Sequence, residues 1–118
     1  STALVDGALR LTWAEWASAI GGVQQGLERL GLRRGDTVLS VLQNRHEAAT
    51  LHWACQFLGA VVAPFNWRAK PEEVDYCAAD AGAVAVAFDP AGAAAVAGSA
   101  FCGRIPRIAV GGATGGTV

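Results

Sequence analysis

Large apolar side chains recur every three or four positions after residue 12, with polar side chains mostly between them. The members of this stripe are Trp13, Trp16, Ala17, Ile20, Val23, Leu27 and Leu30. This spacing is typical of an amphipathic helix that buries one face. Thr12 and Glu15 have the spacing of a capping box at its start, and Gly31 is placed as the C′ residue after its end.

Three glycines interrupt this helical pattern, at Gly21, Gly22 and Gly26. Each costs roughly 1 kcal/mol of helix propensity relative to alanine. Their presence predicts that a neighbouring element approaches the helix closely, or that the helix bends. Tertiary packing is therefore expected to hold this helix in place.

Ahead of the helix, two short stretches alternate apolar and polar residues on either side of Asp6-Gly7. An Asp-Gly pair is a strong hairpin signal because both turn positions adopt a positive φ. The sequence therefore predicts a β-hairpin with strands at residues 2–6 and 8–12, and with one covered face.

The stretch 37–66 passes from an apolar run through a helix-start signal to a second apolar run that ends near Pro64. Asn44 and Glu47 have capping-box spacing, so a helix over about 45–58 is expected. Apolar residues cover most of its circumference, which predicts cover on more than one side. Strand, helix and strand form a βαβ crossover, and two nearly continuous apolar strands indicate a parallel sheet.

In the last third of the chain, Pro71 opens a helix that ends at Gly82. Its inward residues are predicted to be Val74, Cys77, Ala78 and Ala81. A strand at 83–88, a short helix within 91–100 and a strand at 104–110 are expected to follow. The predicted fold is α/β, with a mostly parallel sheet, flanking helices and an amino-terminal hairpin. Residues 1–110 would form the domain, and 111–118 a glycine-rich tail or linker.

Composition narrows the functional classes. The 118 residues suffice for one modest domain, and 53% of them are hydrophobic. A net charge of −1 gives no electrostatic support for binding nucleic acid. Three cysteines without a CxxC pair favour small buried hydrophobes in a reducing compartment over a zinc site. No apolar run is long enough for a transmembrane segment, and the default compartment is the cytoplasm.

Isolated ionisable residues offer no catalytic constellation. His46 and His52 are six positions apart and do not share a helix face at metal-ligand spacing. They are interpreted as a capping-region histidine and a partly buried one. Asp75 and Asp80, five positions apart, are interpreted as surface charges.

Several motifs in a fixed order resemble the amino-terminal portion of the adenylate-forming superfamily, which contains acyl-CoA synthetases, luciferases and peptide-synthetase adenylation domains. They occupy residues 3–7, 11–16, 31–38, 57–68 and 71–74. The triplet Asn66-Trp67-Arg68 favours the acid–CoA ligase branch, with a fatty or aromatic acid as substrate. The resemblance implies the acyl-CoA synthetase-like fold.

The same resemblance implies an activity that this stretch cannot perform alone. Such enzymes use Mg²⁺ and ATP to convert a carboxylic acid to an acyl-adenylate, then pass the acyl group to coenzyme A. Their phosphate-binding loop ends in Pro-Lys-Gly, whereas residues 114–117 contain no lysine. The sequence therefore predicts an inactive amino-terminal fragment without catalytic residues or metal ligands, and with no cofactor bound.

Trp67 and Arg68 are the candidate cofactor-binding residues. They follow a strand that is expected to be central, and ligands gather beyond the carboxyl ends of strands in open α/β sheets. By resemblance, this loop runs near the coenzyme A channel. The alternative is an aromatic lid packed on the core, with Arg68 paired to Glu72 or Glu73.

Two hypotheses for the whole chain stay open. In the first, the chain forms one wall of the acyl and coenzyme A channels, and the remainder of the parent enzyme is its partner. In the second, it is a free-standing, non-catalytic α/β module that binds a nucleotide or a protein. Exposed apolar surface would also favour self-association.

Overall fold

A computed structural model describes residues 1–7, 9–43, 46–113 and 116–117. The strands are β1 Thr2–Asp6, β2 Leu9–Thr12, β3 Thr37–Val41, β4 Val61–Pro64, β5 Ala83–Phe88 and β6 Arg107–Ala109. The helices are α1 Trp13–Arg29, α2 His46–Leu58, α3 Pro71–Ala81 and α4 Ala93–Ala97, and a 3₁₀ turn at Cys102–Arg104 precedes β6. No described helix combines the length and apolar character needed to cross a bilayer.

The predicted α/β fold is confirmed. Strands β3 to β6 form a parallel sheet in the order β4-β3-β5-β6. β3 pairs in parallel with both β4 and β5, so the predicted βαβ crossover through α2 is present. In this sheet β4 is an edge strand, whereas the sequence had placed the strand before Trp67 at the centre.

Side chains alternate across the sheet and create one hydrophobic core on each face. Val38 and Ala85 point into the core formed with α1 and α2. Leu39 and Val86, their neighbours along the strands, point into the core formed with α3 and α4. The sheet is thus covered by two layers of helices, as parallel strands require.

The amino-terminal hairpin is confirmed, but its turn lies one residue later than predicted. Asp6 pairs with Leu9, so the loop consists of Gly7 and residue 8, which lies outside the described residues. Among the described residues only glycines have a positive φ, and the positive φ expected at Asp6 was therefore wrong. The Asp6 carboxylate instead contacts His46, which is consistent with its extended conformation at the end of β1.

Both predicted ends of α1 are confirmed. Thr12 and Glu15 exchange hydrogen bonds, with the Thr12 N–H donating to Oε1 of Glu15 at 2.8 Å. At the other end, Gly31 has a φ of 89° and the Leu32 N–H donates to the carbonyl of Leu27 at 3.1 Å. Together with the bond from the Gly31 N–H to the Glu28 carbonyl, this is a Schellman motif.

Of the two explanations offered for the glycines of α1, close approach by a neighbouring element is not found among the described residues. A Cβ added at Gly21, Gly22 or Gly26 would meet no atom within 4 Å. These glycines therefore lie beside open space, and no neighbouring element in the described part of the chain requires them.

Helix α2 is held at its start by a distant residue. The predicted Asn44–Glu47 capping box involves Asn44, which like Arg45 lies outside the described residues. The backbone N–H of His46 donates to Oδ2 of Asp6 at 2.9 Å. The predicted cover on more than one side is confirmed, since helix α1 and the sheet cover two sides of α2. Trp53 and Phe57 lie on the side that stays exposed.

Helix α3 begins at Pro71 and is followed by Gly82 in the left-handed conformation, as predicted. Val74 and Ala78 are buried and Cys77 is half-buried, but Ala81 is exposed, so its inward assignment was wrong. Ala81 belongs to the last turn, where the chain already leaves the helix for β5.

Asp75 is not the surface charge that was predicted. Its Oδ1 accepts hydrogen bonds from the Ser99 hydroxyl and from the backbone N–H of Phe101, both at 2.8 Å. The Phe101 N–H, followed by the Ser99 hydroxyl, holds the pKa of this carboxyl below its ordinary value. Asp75 therefore ties α3 to the segment between α4 and β6.

Thr117 contacts the last strand of the sheet. The backbone N–H of Thr117 donates to the carbonyl of Arg107 at 2.7 Å, and the Arg107 N–H donates to Oγ1 of Thr117 at 2.8 Å. β6 is shorter than the predicted strand over 104–110. The boundary between a domain at 1–110 and a tail at 111–118 stays a prediction.

Candidate functional site

The carboxyl ends of the parallel strands meet at one edge of the sheet, where open α/β sheets bind ligands. Three connections emerge there side by side. The loop after β4 carries Trp67 and Arg68, the loop after β3 leads to α2, and the turn after β5 begins with Asp89. The order of the strands therefore places the predicted pair beside the β3–α2 loop.

Trp67 and Arg68 form one stacked unit. The Trp67 ring is half-buried and packs against the core on the α3 face. The Cζ atom of Arg68 lies 4.6 Å from the centre of that ring, within the range of a cation–π contact. The backbone N–H of Arg68 donates to Oδ1 of Asn66 at 3.0 Å, which fixes the turn. The stack holds an exposed guanidinium at the sheet edge.

The alternative pairing of Arg68 with Glu72 or Glu73 is not among the described ion pairs. Oε1 of Glu73 accepts the backbone N–H of Lys70 at 3.0 Å instead. The Glu73 carboxylate therefore caps the start of α3. The aromatic-lid part of the alternative holds, since Trp67 does pack on the core.

Asp89 is a buried acid that the sequence analysis missed. It is 1% exposed, and its two carboxylate oxygens accept backbone N–H groups from Gln43 at 3.0 Å and Gly92 at 3.2 Å. These bonds fix the loop after β3 against the turn after β5. An acid directly after an apolar strand and before Pro90 is the signal that could have found it.

A second missed group joins the hairpin to α2. Nδ1 of His46 lies 2.8 Å from Oδ2 of Asp6 and 3.4 Å from Oε1 of Glu47. Ligand atoms of these three side chains lie within 4.8 Å of one another. Asp6 stands 40 positions before His46, so no local pattern reveals the pairing. His46 is the capping-region histidine that was predicted, whereas His52 is exposed and not partly buried.

The cysteines behave as expected of small hydrophobes. Cys55 and Cys102 are buried and Cys77 is half-buried, and all three are free thiols. Burial raises the pKa of Cys55 to about 11. Burial also raises the pKa of Cys102. A thiolate at neutral pH is therefore disfavoured at both positions.

Comparison with known proteins decides the family. The model of the family described as "AMP-binding enzyme" matches residues 1–109. The chain belongs to this family. It is 34% identical over 111 residues to a feruloyl-CoA synthase from Amycolatopsis, and the match covers 94% of this chain and 22% of that protein. The chain thus spans about a fifth of the length of that curated relative.

Solved structures agree with this membership. A candidate long-chain-fatty-acid CoA ligase from Rhodopseudomonas palustris superposes with a TM-score of 0.85 at 26% identity, over 98% of this chain and 30% of that one. The ATP-bound MatB of the same organism gives a TM-score of 0.79 at 27% identity, over 92% and 22%. The acyl-CoA synthetase-like fold is therefore confirmed.

The side chains at the described sites fit one part of the family's cofactor chemistry and not another. An exposed guanidinium stacked on an indole suits a phosphate-bearing ligand such as coenzyme A. Magnesium prefers several oxygen ligands. Within the described residues the one close group of potential ligands is Asp6, His46 and Glu47, and Asp6 and His46 are already joined at the start of α2. This group, with one imidazole nitrogen among its ligand atoms and Asp6 already bonded to His46, does not fit a magnesium site.

Proposed function

We propose that this chain is the amino-terminal framework of a longer acid–CoA ligase. The observation that carries the proposal is the family match over residues 1–109, on a fold shared with ligases that this chain covers only in part. In the complete enzyme, ATP and Mg²⁺ would convert a carboxylic acid to its acyl-adenylate with release of pyrophosphate. The thiol of coenzyme A would then take the acyl group and release AMP.

Within that enzyme, this chain builds one wall of the acyl and coenzyme A channels. Trp67 and Arg68 line the coenzyme A side, where the guanidinium held by the indole meets a phosphate of the cofactor. No residue of this chain acts on the reacting atoms. The isolated chain is therefore expected to be inactive and to hold no cofactor.

A fatty acid is the proposed substrate class, and the fold shared with a candidate long-chain-fatty-acid ligase supports it. An aromatic acid is the second candidate, because the feruloyl-CoA synthase is a similar relative. Both acids present an apolar body and one carboxylate, so the same wall would serve either.

The first test uses the isolated chain. Pyrophosphate release with ATP, Mg²⁺, coenzyme A and a panel of fatty and aromatic acids is expected to stay at the background rate. Calorimetric titration with Mg-ATP and coenzyme A is expected to give only heat of dilution. Turnover by the isolated chain would overturn the proposal, and micromolar ATP binding would support the alternative of a free-standing nucleotide-binding module.

The second test addresses the site in a longer enzyme that contains these residues. Arg68→Gln removes the guanidinium and is expected to raise the KM for coenzyme A about ten-fold, because a charge-assisted hydrogen bond is lost. The KM values for ATP and the acid should not change. Arg29→Gln, at an exposed arginine in the last turn of α1, is the matched control. An equal rise in both variants would contradict the assignment.

The remainder of the enzyme is the first proposed partner, and the proposed compartment is the cytoplasm. Self-association is a second proposed interaction of the isolated chain, because several large apolar side chains are exposed.

A further inference from the structure

The loop that joins β4 to α3, residues 65–70, alternates between half-buried and exposed side chains. Phe65, Trp67 and Ala69 pack on the core of the α3 face, whereas Asn66, Arg68 and Lys70 are exposed. The backbone N–H of Phe65 donates to the carbonyl of Ser40 at 2.8 Å, which ties the start of the loop to β3. The loop is therefore anchored on its inner side and presents Arg68 on its outer side.

Asn66 holds the exposed part of this loop through two acceptors. Its backbone carbonyl accepts the N–H of Ala69 at 2.9 Å, and its side-chain Oδ1 accepts the N–H of Arg68 at 3.0 Å. Trp67 and Arg68 are thus the two central residues of a turn that the Asn66 side chain also closes. Asparagine suits this position because its side-chain oxygen can bind a backbone N–H two residues further on.

The stack of Arg68 on Trp67 needs such a fixed backbone. The two side chains belong to neighbouring residues, so a small rotation of the turn changes the direction in which the guanidinium leaves the chain. A cation–π contact at an exposed site is weak compared with the rotamer freedom of an arginine side chain. The contact at 4.6 Å is therefore too weak to hold the guanidinium over the ring unless the turn is held as well.

We propose that Asn66 is a positioning residue for the coenzyme A site. By binding the backbone N–H of Arg68, its side chain keeps the Arg68 guanidinium stacked on Trp67 and directed toward a phosphate of the cofactor. Asn66 does not touch the reacting atoms, and it acts on the cofactor only through Arg68. The inference rests on the proposed function, which places Arg68 beside coenzyme A.

The kinetic test uses a longer enzyme that contains these residues. Asn66→Ala removes the side-chain acceptor and should raise the KM for coenzyme A about five-fold, while kcat and the KM for ATP stay unchanged. Asn66→Ser keeps a neutral acceptor that can close a similar turn, so its KM should rise less. Gln56→Ala is the matched control, because it also removes an exposed amide, but in the last turn of α2, at the opposite edge of the sheet.

A double variant shows whether Asn66 acts through Arg68. In an enzyme that already carries Arg68→Gln, Asn66→Ala should cause no further rise in the KM for coenzyme A, because the guanidinium that it would misplace is gone. Additive rises would show that Asn66 affects binding by another route and would overturn the inference. An equal rise in Gln56→Ala would overturn it too.

A structural measurement checks the positioning without coenzyme A. In the full 118-residue chain, protons of the Arg68 side chain that lie over the Trp67 ring should resonate upfield in the ¹H NMR spectrum. Trp67→Leu identifies this shift by abolishing it. Asn66→Ala should remove most of the shift, and Asn66→Ser should retain more of it.

The inference and the proposed function fail in different ways. An unchanged Arg68 shift or an unchanged KM in Asn66→Ala, with Arg68→Gln still raising the KM, would overturn the role of Asn66 and leave the Arg68 site intact. An unchanged KM in Arg68→Gln would overturn the coenzyme A site itself, and the positioning role would fall with it. Circular dichroism checks the fold of each variant, and Asn66→Ser alone repeats both measurements if Asn66→Ala fails to fold.

Discussion

The two helical layers cover the same sheet but pack in opposite ways. On the α3–α4 side, small residues allow close contact, and a Cβ at Gly92 would lie 2.5 Å from the carbonyl oxygen of Val41. A Cβ at Gly98 would lie 2.8 Å from Cβ of Pro71. On the α1–α2 side, large aromatic side chains are half exposed, and a Cβ at Gly22 would meet no atom within 4 Å.

The difference shows that glycines occupy two kinds of environment in this small fold, one crowded and one open. Near α4 the backbone approaches so closely that a side chain has no room. In α1 the glycines lie beside open space, so an added methyl group has room. Substitutions on the two sides should therefore change the free energy of unfolding by different amounts, and at the glycines even in opposite directions.

The largest difference in the free energy of unfolding is expected between substitutions of two phenylalanines, one in each environment. Phe88 is 1% exposed in β5 and Phe57 is 66% exposed on α2. Phe88→Ala should lower the free energy of unfolding by about 3–5 kcal/mol, because it removes buried area and leaves a cavity. Phe57→Ala should change it by less than about 0.5 kcal/mol. Urea unfolding at low protein concentration measures both, and similar losses would erase the contrast between the layers.

A smaller loss is expected at the tight glycine. Gly92→Ala should lower the free energy of unfolding by about 1–3 kcal/mol, since the new methyl group meets the backbone of β3, which cannot rotate away. Thermal unfolding followed by circular dichroism measures the change. An unchanged Tm would show that the α4 side can relax.

The opposite sign is expected at the open glycine. Gly22→Ala places a methyl group in free space and gains up to about 1 kcal/mol of helix propensity. The Tm should rise in the same thermal assay. A fall would show that α1 needs this glycine for a reason that the described contacts do not contain.

The smallest effect is expected at Asp75, and it concerns how the stability of the fold depends on pH in the acid range. Hydrogen bonds from Phe101 and Ser99 hold the pKa of Asp75 below its ordinary value of 3.8. A lowered pKa in the folded state means that the ionised carboxylate stabilises the fold. This stability is complete above the ordinary value and is lost as the pH falls through the lowered one.

Asp75→Asn should therefore make stability less dependent on pH in the acid range. Urea midpoints measured from about pH 6 down to about pH 2.5 compare it with the unsubstituted chain. Asp80→Asn, at an exposed acid on the same helix, is the control. Parallel curves for all three chains would contradict a role for Asp75 in the acid response.

Much of this fold follows from local patterns, and the exceptions share a cause. The period of apolar residues and the caps at Thr12, Gly31 and Pro71 predict the helices, because they depend on neighbours in sequence. The bonds made by Asp6 and Asp89 were missed, because their acceptor and donor groups lie 40 and 46 positions apart. No local rule anticipates such contacts.

At the candidate site, too, some features could be predicted from the sequence and others could not. The position of Trp67 and Arg68 after a strand could be read from the order of elements. Their stacking could not, because it depends on the exact turn at Asn66. The open space beside the glycines of α1 could not be predicted either, since tight packing and open space produce the same glycine pattern in the sequence.

Asp6 sets a limit on how far the amino terminus can be shortened. It lies in β1, yet its carboxylate binds the first backbone N–H of the crossover helix, 40 positions further along the chain. Removing the first seven residues would take away that acceptor together with half of the hairpin. Such a truncation, or an affinity tag that disturbs the hairpin, is therefore expected to loosen the start of the helix that joins the first two parallel strands.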